Sequence, residues 1–205
     1  MSFVRLISDY RWPIIIGGHR WDVIVGRGHA PEHASLWCPE LNVMIAGDQV
    51  LPKISTNVGV WPNEPLADAL TWFLDGFSRF RRLPADALVL PSHGFPFIGL
   101  HTRLDQLVAH HDARLNDMEL AIAARGPEGA TAWDMVPVLF PRHLDNNQIV
   151  FAFGETLAHL HCLETRARVK RVVVDGVHRF VALADPNALP PADDTDGVVM
   201  DIGQT

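Results

Sequence analysis

Apolar positions recur along the chain with two spacings, and the places where one spacing gives way to the other mark its elements. Phe3–Ile7, Trp12–Ile16 and Trp21–Val25 are short runs rich in β-branched and aromatic residues, and Gly17-Gly18 between the last two predicts a hairpin turn. Ser35–Trp37 and Asn42–Ala46 read as the next strands, and Ala87–Leu90 as a short buried one. Over Leu66–Leu83 the spacing changes. Leu66, Ala69, Leu70, Phe73, Leu74, Phe77 and Phe80 fall on one helical face. Thr102 is placed as the N-cap of a long helix, Arg103–Ala124, which Gly126-Pro127 stops.

A second unit is expected from residue 126. Thr131–Phe140 reads as a short helix ended by Pro141, and Asp145–Thr165 as a longer one. Lys170–Val174 and Val177–Leu183 flank Asp175-Gly176, a favoured two-residue hairpin turn. Helix, helix, hairpin is the order of a winged-helix module. The pattern thus divides the chain into 1–125, 126–184 and a flexible tail, 185–205, with Pro190-Pro191 and Asp193-Asp194. Val50–Pro65 carries three prolines and no periodicity, and reads as a long loop.

With 48% apolar residues, the 205-residue chain can bury a real core. A net charge of −7 speaks against a protein built mainly to hold phosphate backbone. Cys38 and Cys162 show no framework spacing and read as buried free thiols of a reducing cytosol. No run is apolar enough to span a bilayer, and no signal-peptide core follows Met1, so a soluble cytoplasmic protein is expected.

The candidate chemistry sits where strands end. His29 lies between Gly28 and Ala30-Pro31, on a cramped loop of the kind that holds an imidazole inward with little entropy left to lose. It is either a metal ligand or a structural histidine. His33, four residues on, either ligates or orients a ligand. Asp48 follows Val43–Gly47, which sets a carboxylate at the mouth of an apolar strand. Such an anion needs a metal, a cation or nearby backbone amides. His93 closes Ala87–Leu90 and precedes Gly94. Trp61 lies in the loop beyond Asp48, either as an anchor or as a wall of a substrate pocket, and the other five tryptophans read as core or interface anchors. His110 and His111 point about 100° apart on one helix and are expected to pack or cap. His159 and His161 read as structural, and His19, His101, His143 and His178 show no ligand spacing. Arg166, Arg168, Lys170 and Arg171 form a basic run that either meets phosphates or is simply solvated.

Three fragments occur in order: Gly28-His29-Ala30-Pro31-Glu32-His33, Gly47-Asp48-Gln49-Val50-Leu51-Pro52 and Leu90-Pro91-Ser92-His93-Gly94. Together they resemble the downstream site motifs of metallo-β-lactamase-superfamily hydrolases of the glyoxalase II-like branch. Gly154-Glu155-Thr156-Leu157-Ala158-His159-Leu160 and the hairpin after it look like the winged-helix extension of many such hydrolases. The resemblance implies an α/β fold: the C-terminal half of an αββα sandwich, then a small winged-helix domain. It also implies a site for two divalent metals, usually zinc, with His29 on the first, His93 on the second and Asp48 bridging. The upstream His-x-His-x-Asp-His motif of that family does not occur in the chain. Each metal would keep one imidazole and a shared carboxylate, fewer than the roughly three or four protein ligands of ordinary zinc sites.

Three expectations follow: a portion of a full hydrolase missing its N-terminal half, a half-site completed by a second copy around a twofold axis, or a non-catalytic winged-helix module that dimerises or binds nucleic acid. An exposed apolar sheet face should favour association in each case. For a complete site the expected reaction is hydrolysis of a small thioester or ester, with a ribonuclease-type phosphodiesterase as the alternative. No membrane partner is expected.

Overall fold

The computed structural model describes residues 13–183; the expected strand Phe3–Ile7, Trp12 and the tail lie outside them. Five strands, β1 (Ile14–Ile16), β2 (His19–Gly26), β3 (His33–Cys38), β4 (Val43–Gly47) and β5 (Leu88–Pro91), form one sheet in sequence order. The first three pairings are antiparallel, and β4–β5 is parallel because α1 (Ala69–Phe80) carries the chain back between them. His33, expected on a loop, is instead the first residue of β3, paired with Gly26.

Alternation along the strands separates two faces. Trp37, Met44, Ala46 and Val89 are buried on one side in a cluster with Leu70, Phe73, Phe77 and Phe80 of α1. On the other side the register sets Val23 against Leu36, Leu36 against Ile45 and Ile45 against Leu90. These four are only half-buried or exposed. Helix α1 starts later than the periodicity predicts. Asp68 caps it by accepting from the Thr71 backbone N–H, so Leu66 lies before the helix and is 76% exposed.

Helix α2 (Leu100–Ala123), by contrast, begins three residues before the expected start, and Thr102 is not its cap. Gly99, at φ +103°, turns the chain into the helix without a side-chain cap. Its buried Leu104, Leu107, Leu115, Met118 and Ile122 join the sheet-side core to the C-terminal elements. Those elements are α3 (Ala132–Leu139), α4 (Asn146–Thr165) and the hairpin β6 (Val169–Val174) and β7 (Val177–Ala182). Thr131 and Asp145 each cap a helix through a reciprocal capping box, and Asp175-Gly176 turns the hairpin with both residues at positive φ. Residues 50–65 form neither helix nor strand, yet Val50, Leu51, Val58 and Val60 are buried, so this loop is packed in place.

Candidate metal centre

Three chain segments bring chemistry to one end of the sheet. The β2–β3 loop carries His29, the end of β4 carries Asp48, and the turn after β5 carries His93. The β4–β5 register shifts between Ile45 and Gly47, an irregularity that re-aims the residue that follows. Past it the Ser92 N–H donates to the Gly47 carbonyl at 3.0 Å and stitches the two strand ends together. The chain then doubles back through paired Val89 and Phe97 bonds, so His93 sits at the tip of a short loop.

The Asp48 carboxylate lies between two imidazoles. Its Oδ2 is 3.6 Å from His29 Nε2 and its Oδ1 is 3.4 Å from His93 Nε2. His29 Nδ1 lies 2.8 Å from the Asn57 carbonyl, which can only accept, so the proton of a neutral His29 sits on Nδ1. The other nitrogen then turns a bare lone pair toward a carboxylate oxygen, which is repulsive unless a cation lies between them. The spacing fits such an ion. Metal–ligand bonds of about 2.0–2.2 Å at tetrahedral angles give an N···O edge of about 3.3–3.5 Å, close to both distances here. His29 and Asp48 are about one-quarter exposed and His93 two-thirds, so the centre is open on the His93 side.

His33 takes a different place. The Asp48 backbone N–H donates to its Nε2 at 3.2 Å, which leaves Nδ1 protonated, buried and without a partner among the described residues. Burial, followed by repulsion from His29, holds its pKa below the usual histidine value, so it stays neutral and orients the Asp48 backbone. Gly47, at φ +57°, lets the strand end run directly over this ring.

The Asn57 loop is latched to α4. Asn57 Nδ2 donates to Glu155 Oε2 at 3.3 Å, and the Val60 N–H donates to the Gly154 carbonyl at 3.0 Å. Burial raises the Glu155 pKa while Arg114, 3.7 Å away, and Asn57 oppose that shift. Sequence reasoning did not find Asn57, and named Glu155 only within the Gly154–Leu160 fragment: the pairing of an asparagine with a glutamate 98 residues away carries no local signal.

Trp61 lines a pocket with Gly28, His29, Pro31 and Trp72, directly beside the centre. His111, His159 and His161 are buried in the core. His161 Nδ1 donates to the Ala67 carbonyl, and His159 Nδ1 to the Glu155 carbonyl. That leaves His159 Nε2 free to accept from His111 Nδ1 at 3.3 Å. The basic run is largely neutralised: Arg166 pairs with Asp112, Arg168 with Glu119 and Asn116, and Arg171 with Glu164. Cys38 and Cys162 are both free and buried. No described helix is long and apolar enough to cross a membrane.

Residues 118–183 match the metallo-beta-lactamase-like C-terminal domain family. Among solved structures, a beta-lactamase domain protein from Burkholderia ambifaria superposes with a TM-score of 0.76 at 42% identity, over 83% of this chain and 50% of that one. A metallo-beta-lactamase family protein from Thermus thermophilus gives a TM-score of 0.72 at 32% identity, over 84% and 52% respectively. No curated protein matches the chain. The chain therefore spans about half the length of these two relatives. The mixed α/β fold, the C-terminal domain match and these two likenesses together support membership of the metallo-β-lactamase superfamily.

Proposed function

We propose that the chain supplies one half of a dinuclear metal-dependent hydrolase centre, with Asp48 bridging two ions, His29 on one and His93 on the other. The observation that carries this is the pair of imidazole nitrogens facing the two oxygens of one carboxylate at 3.6 and 3.4 Å, with the His29 proton committed elsewhere. Divalent ions held there, zinc by preference, would act as Lewis acids and lower the pKa of water to about 7. The residues present fit such ions but do not fill their coordination, so the other ligands come from an N-terminal half or from a second copy of the chain. The half-open apolar face of Val23, Leu36, Ile45 and Leu90 supports that association.

A small thioester or ester is the favoured substrate class. The overall charge of −7 disfavours polyanions, and Trp61, Pro31 and Trp72 give the pocket beside His29 an apolar wall. Pairing of Arg166, Arg168 and Arg171 with acidic neighbours leaves little basic surface for a polynucleotide, which weighs against both the phosphodiesterase and the nucleic-acid-binding readings. In this reading α3, α4 and the β6–β7 hairpin form the winged-helix unit that follows residue 125, and the protein works in the cytoplasm.

The deciding experiment measures metal content per chain together with mass in solution. Zinc in an associated form, its content per chain falling in both Asp48→Ala and His93→Ala, is the expected result. Metal content unchanged in both variants would sink the assignment.

A further inference from the structure

The β2–β3 hairpin carries a second set of donor atoms at its far end. Asp22 pairs with Trp37, and continuing that register sets Trp21 opposite Cys38 and His19 opposite Glu40. Residues directly opposite and two apart share a face, so His19, Cys38 and Glu40 converge on one side of the ladder. One donor atom from each lies within 4.8 Å of the others. The strand from His33 to Cys38 separates this point from the Asp48 centre by about 17 Å.

We propose that His19, Cys38 and Glu40 form a second metal site, specific for a borderline-soft divalent ion such as zinc. The donor set is one imidazole, one thiol and one carboxylate; with the thiol ionised, its two negative charges balance a dication. Thiolate with imidazole selects zinc-like ions over magnesium or calcium, which prefer oxygen alone. The geometry needs only a small adjustment. His19 Nδ1 and Glu40 Oε2 now share a hydrogen bond of 2.7 Å, whereas a tetrahedral edge around zinc is about 3.3 Å. Glu40, whose side chain is 53% exposed, is free to withdraw by that difference. Exposure of His19 and Glu40 leaves room for water as a fourth ligand, while Cys38 is fully buried beneath them.

An ordinary surface ion pair accounts for His19 and Glu40 alone, and such pairs contribute little. It does not account for a buried thiol brought to the same point.

Cobalt(II) titration of the full chain tests the proposal, because only a site containing cysteine produces thiolate-to-cobalt charge-transfer absorption, and the Asp48 centre contains none. The expected result is such a band saturating near one equivalent and displaced by zinc. It disappears in Cys38→Ser and persists in Asp48→Ala, so this site and the Asp48 centre stand or fall separately. His19→Gln and Glu40→Gln alter exposed side chains, which keeps folding out of the question, and each should weaken cobalt binding about tenfold or more. Three results would overturn the proposal: no band from folded wild-type protein, a band surviving Cys38→Ser and so belonging to Cys162, or unchanged affinity in both glutamine variants.

Discussion

Gly47→Ala isolates the backbone geometry on which the Asp48 centre rests. Gly47 has φ +57°, a left-handed conformation that costs an L-residue about 1–2 kcal/mol. The added methyl would also lie 2.5 Å from His33 Cε1 and 2.7 Å from its Nε2, where ordinary contact needs about 3.5–4.0 Å. The ring must therefore retreat by about 1 Å. Its Nε2 already stands 3.2 Å from the Asp48 nitrogen, so that retreat breaks the hydrogen bond. A buried group left unsatisfied costs about 1–3 kcal/mol, which brings the total to about 2–5 kcal/mol. Gly17→Ala is the control. Gly17 has nearly the same φ, +61°, but nothing lies within 4 Å of its virtual Cβ, so it incurs only the first cost. Urea denaturation of both variants, compared through midpoints at constant slope, gives the difference directly. Gly47→Ala should be the less stable by about 1–3 kcal/mol and should bind zinc more weakly. Equal destabilisation of the two would refute the wedging of His33 against the strand end.

Acid should weaken the fold through its buried histidines. Burial, then mutual repulsion with neighbouring charges, holds His111 down to about 2, and burial holds His159 down to about 4, against 6.5 when unfolded. Below pH 6.5 the unfolded chain therefore takes up protons that the folded one refuses, and stability falls by up to about 1.4 kcal/mol per pH unit for each histidine. His159→Gln should flatten the fall in denaturation midpoint between about pH 6.5 and 5; an unchanged slope would contradict the neutral pair. Glu155→Ala removes the acceptor of Asn57 and the partner of Arg114, and loss of one member of a buried pair costs about 3–5 kcal/mol. Glu155→Gln, which keeps an acceptor for Asn57, should recover part of that. Hydrogen exchange over residues 56–60 checks whether the latch opens first in the alanine variant.

How much of this was readable from the chain depends on how far apart the determining residues lie. Asp175-Gly176 specifies its own turn, and the helices beginning after Thr131 and Asp145 carry their caps beside them, so their limits were legible to within a residue. Leu66 and Thr102 misled for the same reason. Periodicity and cap propensity are satisfied at several neighbouring positions, and tertiary packing chose Asp68 and Gly99 instead. His29, Asp48 and His93 could be read as candidates because each stands beside a glycine or proline at a strand end. Their convergence, and the commitment of His33 to the Asp48 backbone, depend on strand register and on the irregularity before Gly47. His19 looked inert because its companions, Cys38 and Glu40, are neighbours only through the β2–β3 pairing.

The Asp48 carboxylate ties the open coordination of the proposed centre to the open face of the sheet. Residues alternate across β4, so Met44 and Ala46 enter the core while Ile45 faces outward beside Leu36 and Leu90. Whatever covers Ile45 therefore packs on the strand that ends one residue before Asp48. In the proposed reading, a partner held by that apolar face supplies the ligands the centre lacks. Association and completion of the metal site are then one event, and a polar substitution at the face should reveal it. Ile45→Glu, 37% exposed in the chain alone and made in a Cys38→Ser background that removes the second site, should leave the fold intact and abolish both association and zinc binding at the Asp48 centre. Zinc retained by the monomeric protein in that Cys38→Ser background would show that the Asp48 centre completes its coordination within one chain and would remove the need for a second half.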